Sequence, residues 1–369
     1  MRAKKVLINA MHLRGNFSGV HRYTEHLLRH MENSDLQIDS LQPIDRTTTS
    51  NLFPKTLPRL NRVWYEQIRM NRDFRSGEYG LYHATNYILP LFWQGPSVLT
   101  VHDTIALDFP ELCKDETALY YGLMLRHSIE KSNRVLAVSE QVRQDIMRHA
   151  HIPKERIMVT QLGVDPAFKR RPFQEDLARV RKKYDLPTSY FLFVGNLEPK
   201  KNLSRLIEAF HHLLPQLDES FQLVMAGQKG WKYMDIFKTI ERLKIQSRVR
   251  LLDYVPQKDL PALYHQASVF AFPSLYEGFG LPAIEAMACG TPVLISDRGA
   301  LPEVTGGFAR QVNPLDVHEI SIGLFEQLTQ SKQERLIDAQ EWVKQYQWAK
   351  TAEKTLTVYN EVLENAVFA

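Results

Sequence analysis

Two carboxylates, Glu277 and Glu285, flank a glycine-rich turn, Gly278-Phe279-Gly280-Leu281-Pro282. An apolar run, Val269 to Phe272, leads into this stretch and reads as a buried strand. Pro282 stands where a helix favours its first residue and Gly290 where a helix stops, so the order is strand, glycine loop, short helix. This reading puts Glu285 in the first turn of that helix. A helix start offers unsatisfied N–H groups and the positive end of a dipole, both suited to phosphate. Carboxylates on either side accept hydrogen bonds from hydroxyls. The combination suits a phosphorylated sugar or nucleotide better than a metal or a nucleic acid.

Further residues have the types for the same chemistry. Lys200 and Lys201 follow a strand, Phe191 to Val194, and precede a helical stripe that runs from Leu203 to Leu217. A lysine there can neutralise a diphosphate, although a solvated lysine pair is the plain alternative. Asn202 reads as the N-cap of that helix. His102 and Asp103 end another strand, either as a capped strand end or as a histidine that hydrogen-bonds a substrate. The remaining histidines show no H-E-x-x-H spacing, no Asp-x-Asp is present, and a G-x-S-x-G elbow is absent, so neither a metal centre nor a serine nucleophile is expected.

The elements that must position these groups alternate along the chain. Strands are expected at Lys4–Asn9, Tyr79–His83, Ser97–His102, Arg134–Ser139, Ile157–Thr160, Phe191–Val194, Phe221–Ala226, Val249–Leu252, Val269–Phe272 and Val293–Ile295, with helical stripes between them. One begins after a loop carrying Gly15 and Gly19 and runs from Val20 to Met31. G-x-G-x-x-G is absent there, so this is not the dinucleotide fingerprint. Such alternation implies α/β architecture with parallel sheets covered by helices, and ligands at the carboxyl ends of strands. The pattern breaks at Gln161 to Pro166 and turns polar as far as Lys183, which marks a linker between two domains. A long final helix is expected from about Ala349.

With 369 residues, 44% of them hydrophobic, the chain can build two cores. A net charge of +4 does not suggest a nucleic-acid binder. Cys113 and Cys289 are far apart without metal or disulfide logic, which suits a reducing compartment. No signal-like segment or apolar run of about 18 residues is seen, so a cytoplasmic protein is expected. Between Lys55 and Arg75 six basic residues stand against Glu66 and Asp73, with Trp64, Tyr65, Ile68 and Met70 mixed in; this is either a solvated helix face with a packed side or a surface for an anionic membrane or lipid-phosphate acceptor.

Taken together, Glu277-Gly278-Phe279-Gly280-Leu281-Pro282-x-x-Glu285 resembles the paired-glutamate motif of the retaining glycosyltransferases of family 4. Ser18–Tyr23, Thr100-Val101-His102-Asp103, Val138-Ser139-Glu140, Gly163-Val164-Asp165, Val194–Asn202 and Gly290-Thr291-Pro292-Val293 extend the resemblance over nearly the whole chain. It implies a GT-B fold: two Rossmann-like, doubly wound domains facing across a cleft, an acceptor-side domain at 1–170, a nucleotide-sugar domain at 171–345, and a helix at 346–369 that crosses back. It implies a nucleotide-diphosphate sugar as donor, a saccharide acceptor, and no metal or other cofactor. Carried onto this sequence, Glu277 holds the donor sugar's hydroxyls, Glu285 the ribose, and Lys201 the diphosphate. The amides of Phe279, Gly280 and Leu281 line sugar and phosphates, His102 faces the sugar, and Gly19 lets backbone approach the diphosphate. Many members carry an Arg where this chain has Asn196, so that position of the donor site departs from the pattern. Within the family, Leu197–Asn202, Ala226–Trp231 and Trp64–Gln67 are most similar to bacterial mannosyltransferases of surface polysaccharides, which implies GDP-mannose and a lipid-linked acceptor, with peripheral membrane contact. Another nucleotide sugar as donor, an epimerase of nucleotide sugars and a non-catalytic binding subunit are the alternatives.

Overall fold

The computed structural model describes residues 5–13, 18–41, 67, 79–330 and 333–365. Apart from Gln67, the basic and aromatic stretch 55–75 lies outside the described residues, as does Gly15. The chain divides into two compact units, 1–163 with 348–369, and 164–347.

In the first unit, β1 (Lys5–Asn9), β2 (Gln37–Leu41), β3 (Leu81–Ala84), β4 (Ser97–Val101), β5 (Arg134–Ala137) and β6 (Ile157–Val159) form one parallel sheet in the order β2-β1-β3-β4-β5-β6. Strands β3 and β4 are buried along their whole length, as expected where helices cover both faces. Helix α1 (Gly19–Met31) is capped by Ser18, whose Oγ accepts from the His21 amide at 3.3 Å. Helix α2 (Asp115–Lys131) follows β4 through the short helix Ile105–Asp108.

The second unit repeats the plan. Here β7 (Tyr190–Val194), β8 (Gln222–Ala226), β9 (Val249–Leu251), β10 (Val269–Phe272), β11 (Val293–Ser296) and β12 (Arg310–Val312) run parallel in the order β12-β11-β10-β7-β8-β9. The chain moves outward from β7 through β8 to β9, then returns to the other side of β7 as β10. That reversal makes the carboxyl ends of β7 and β10 the topological switch point, where a crevice opens in such sheets. Helix α3 (Gln174–Lys183) occupies part of the stretch expected as linker. Its Arg179 and Lys183, with Tyr184, bind the fully buried Asp259 at 2.7, 2.7 and 2.8 Å, which anchors α3 to the unit.

Two strands, β2 and β12, lie outside those expected, and both are sheet edges. The stripe through Leu217 is shorter than expected: α4 (Leu203–Leu213) gives way to a tight turn at Leu214–Gln216, because Pro215 cannot continue the helix. The eight-residue helix α5 (Leu281–Ala288) follows the loop after β10. Helix α6 (Trp348–Asn365) belongs to the first unit. Trp348 stacks on His26 with ring centroids 4.6 Å apart, and the Thr351 hydroxyl donates to the Gln161 carbonyl at 2.6 Å. Deeper in, His83 on β3 joins the Tyr359 hydroxyl (Nδ1, 2.6 Å) and the Thr100 hydroxyl (Nε2, 2.7 Å), and Thr100 also meets the Tyr23 hydroxyl at 2.9 Å. Satisfied polar groups in a dry interior fix α6 in one register against β3, β4 and α1.

Candidate functional site

The residues after β7 and β10 meet at the switch point of the second sheet. After β7 the chain makes a short turn, Pro199–Lys201, and Asn202 takes a left-handed conformation at φ +60°. Asn202 occupies the cap position of α4, but its side chain does not cap it. Its amide instead donates to the carbonyls of Pro273 (3.1 Å) and Pro314 (2.6 Å). The Leu275 amide donates to the Lys200 carbonyl at 2.7 Å. These bonds clamp the β7 turn to the start of the glutamate loop and so bring Lys201 to Glu277.

Lys201 Nζ donates to Glu277 Oε1 at 2.5 Å and lies 4.6 Å above the centre of the Phe272 ring. Both side chains are nearly buried, at 9% and 8% exposure. Burial holds the Lys201 ammonium below its ordinary pKa, against the pull of Glu277. Burial pushes Glu277 the other way, but Lys201 and Lys200 outweigh it and hold the carboxyl below its usual range. For Lys201 burial and the like charge of Lys200 outweigh Glu277 and Glu198, whereas for Glu277 the two lysines outweigh burial, so both fall. An ammonium carries three N–H donors, and Lys201 uses one on Glu277, leaving two.

The backbone of Glu277 is held from β11. Gly299 turns at φ +62° directly against it, and a Cβ there would lie 2.6 Å from the Glu277 carbonyl oxygen. The neighbouring Ala300 amide donates to that same oxygen at 2.9 Å. Gly299→Ala is therefore expected to displace Glu277, lowering kcat/KM at least tenfold and stability by about 1–2 kcal/mol; steady-state kinetics and urea unfolding check both.

Past Glu277, Gly280 at φ +97° is the N-cap of α5. The amides of Phe279, Gly280 and Leu281 donate to no acceptor among the described residues, Pro282 has none to offer, and the Ala283 amide returns to the Gly280 carbonyl at 3.0 Å. Three consecutive donors without an acceptor among the described residues thus lie at the positive end of α5. Glu285 does not lie in the first turn. The helix begins at Leu281, with Pro282 second, so Glu285 falls in the second turn. It is 1% exposed and its Oε2 accepts from the Tyr264 hydroxyl at 3.3 Å. Asn196 is exposed, and its amide reaches only Glu198, at 3.4 Å. Neither Glu285 nor Asn196 bonds to the Lys201–Glu277 pair.

His102 and Gly19 belong to the first unit. Gly19 is the first residue of α1, not part of the loop before it, and is exposed. His102 follows β4, 8% exposed, with Nε2 2.9 Å from the Thr85 carbonyl oxygen. A carbonyl only accepts, so Nε2 carries the proton. Burial, only partly offset by this bond and by Asp103, lowers the His102 pKa to about 4. The ring is therefore neutral near pH 7, and Nδ1 is left as an acceptor. Among the described residues no group of three or more His, Cys, Asp or Glu has an arrangement that could hold a metal ion.

Sequence reasoning missed Gly299, Thr85 and the bridging role of Asn202. Only the glycine after β11 left a signal, as a strand followed by Ser296-Asp297-Arg298-Gly299.

Comparison with known proteins matches these two units to two sequence families. The profile described as Glycosyltransferase Family 4 matches residues 17–168, and that described as Glycosyl transferases group 1 matches residues 175–313. O-antigen chain mannosyltransferase B of Escherichia coli is 33% identical over 291 residues, covering 78% of this chain and 75% of that protein. The serotype-specific mannosyltransferase WbdA of Escherichia coli is 29% identical over 242 residues, 64% of this chain but only 30% of that longer protein. Sucrose-phosphate synthase from Thermosynechococcus elongatus superposes with a TM-score of 0.77 over 98% of this chain and 99% of its own, at 19% identity, a likeness of fold. The chain belongs to glycosyltransferase family 4, and its two parallel-sheet units are those of the GT-B fold.

Proposed function

We propose that this glycosyltransferase moves mannose from GDP-mannose, with retention and without a metal, onto a hydroxyl of a lipid-linked saccharide. The observation that carries the reading is the Lys201–Glu277 pair beside the three open amides of Phe279, Gly280 and Leu281. The two uncommitted N–H groups of Lys201 and the α5 amides stabilise charge as the bond between mannose C1 and the diphosphate oxygen breaks. Glu277 orients the sugar through its hydroxyls, Glu285 takes the ribose, Gly19 admits the diphosphate, and His102 accepts a hydrogen bond from a sugar hydroxyl through Nδ1. The acceptor oxygen attacks C1 from the face the diphosphate leaves, through an oxocarbenium-like state, and its proton passes to the departing phosphate oxygen. With Asn196 in place of an arginine, the diphosphate charge rests on Lys201. Mannose and surface-polysaccharide acceptors are favoured because the relatives at 33% and 29% identity are named as O-antigen and serotype-specific mannosyltransferases.

The proposal includes a cytoplasmic location with peripheral membrane contact. Among the described residues no helix is long and apolar enough to cross a membrane. Leu91, Phe92, Leu119 and Leu123 of the first unit are 40–69% exposed and would suit the headgroup boundary.

The test offers purified enzyme GDP-mannose, UDP-glucose and dTDP-sugars with polysaccharide-primer acceptors and EDTA present. Mannosylated product with an α-anomeric NMR signal, formed from GDP-mannose alone, is expected. Transfer from another donor, an inverted anomer, or an epimerised donor without acceptor would overturn the reading.

A further inference from the structure

We propose that Tyr87 and Tyr121 form a stacking platform for a pyranose ring of the acceptor, beside His102; the inference rests on the transferase reading above.

The rings form a connected set at the carboxyl end of the first sheet. Tyr23 and Tyr87 meet His102 edge to face, at 4.9 and 5.8 Å between centroids, and Tyr121 meets Tyr87 in the same way at 5.5 Å. Tyr120 extends the set from Tyr121, again at 5.5 Å. Exposure divides them. Tyr23 is fully buried and packs as core, whereas Tyr87, Tyr120 and Tyr121 are only half-buried. The three half-buried rings present apolar area with polar edges to solvent at the end of the sheet.

The backbone shows the same placement being held against a cost. Tyr87 sits at φ +60°, a left-handed conformation unfavourable for a bulky residue, and its amide donates to the Thr100 carbonyl on β4 at 3.3 Å. Helix α2 brings Tyr121 from the other side. It runs against the short helix that starts just after His102, and a Cβ on Gly122 would lie 3.6 Å from the Ala106 carbonyl oxygen. Strand end, strained turn and helix thus converge on one aromatic surface with His102 at its edge and Asp103 next in the chain.

The chemistry of that surface is specific. A pyranose has a C–H face and a rim of hydroxyls. A tyrosine pair offers an apolar face with a polar edge, and His102 Nδ1 adds an acceptor for the rim. An apolar face edged by a neutral acceptor fits a neutral sugar ring better than a phosphate.

Tyr87→Ala, Tyr121→Ala and Tyr121→Phe variants test the platform, with melting temperature confirming that each is folded. Both alanine variants are expected to raise the acceptor KM about tenfold or more while leaving the GDP-mannose KM within twofold, and Tyr121→Phe, which keeps the ring, stays near wild type. In parallel, saturation-transfer NMR with methyl α-D-mannopyranoside is expected to show contact in wild type and Tyr121→Phe, and to lose it in the alanine variants. An unchanged acceptor KM in the folded alanine variants, or saturation that persists in them, would overturn the platform. If wild-type protein transferred no mannose, the donor reading alone would fail, because probe binding is read without turnover.

Discussion

Replacing Lys201 by methionine is expected to cut kcat/KM about a thousandfold and to destabilise the fold by about 3 kcal/mol. The two effects have different origins. The first comes from losing the ammonium that donates to Glu277, at the switch point where charge develops on the leaving diphosphate. The second arises because Glu277 is 8% exposed, so removing its partner leaves a buried carboxylate uncompensated. Methionine places an uncharged side chain of similar length beside Phe272, which separates charge from packing. Glu277→Gln alone should lower kcat/KM by at least a hundredfold, since a neutral amide holds sugar hydroxyls less strongly than a carboxylate. The double variant, Lys201→Met with Glu277→Gln, is the informative one. It is expected to regain most of the lost stability, because neither buried charge remains, and to regain no activity. Urea unfolding beside initial-rate kinetics reads both quantities. A double variant as unstable as Lys201→Met would show that the pair is not coupled in this way.

The second large effect is a loss of stability in mild acid. Burial, reinforced by the nearby His102, lowers the His83 pKa to about 3, and burial lowers that of His102 to about 4. An unfolded histidine titrates near 6.5. Below that pH the unfolded chain takes up protons that the native protein refuses, so stability falls as pH falls. The loss begins near 6.5 and continues until His102 titrates at about 4 and His83 at about 3. At pH 5 each histidine has lost about 1.5 pH units' worth of proton binding, about 2 kcal/mol, or about 4 kcal/mol for the pair. His83→Gln, which keeps partners for Tyr359 and Thr100, should remove about half of that slope. Urea unfolding at pH 7.5 and 5.0 checks it; an unchanged slope in His83→Gln would mean that His83 does not remain neutral in the fold.

Much of this architecture is legible in the sequence. Short apolar runs such as Tyr190–Val194 and Val269–Phe272, rich in aromatic and β-branched residues, read as buried strands, and their alternation with helical stripes implies parallel sheets. The edges are harder to read. Gln37–Leu41 is largely half-exposed, and Arg310–Val312 has only three residues, so neither has an apolar run to betray it. At the site, residue types survive the reading better than geometry does. Glu277 and Lys201 stand out by motif, yet 76 residues separate them, and no local pattern reveals that one bonds the other. Asn202 has the right type and place for a cap, but its left-handed backbone turns the side chain toward Pro273 and Pro314. Glu285 falls just past the first turn because the helix begins one residue earlier, at Leu281 after Gly280. Gly299 matters through a close approach to another strand's loop, which spacing alone cannot encode.

Calorimetric titration of GDP and GDP-mannose into wild type, Lys201→Met and Glu277→Ala tests most directly whether the pair divides the donor between them. Lys201→Met is expected to weaken both ligands by a similar factor, since both carry the diphosphate. Glu277→Ala is expected to leave GDP affinity within a few-fold of wild type and to erase the preference for GDP-mannose over GDP. If Glu277→Ala kept that preference, or Lys201→Met left GDP affinity unchanged, the assignment of sugar to Glu277 and diphosphate to Lys201 would be contradicted.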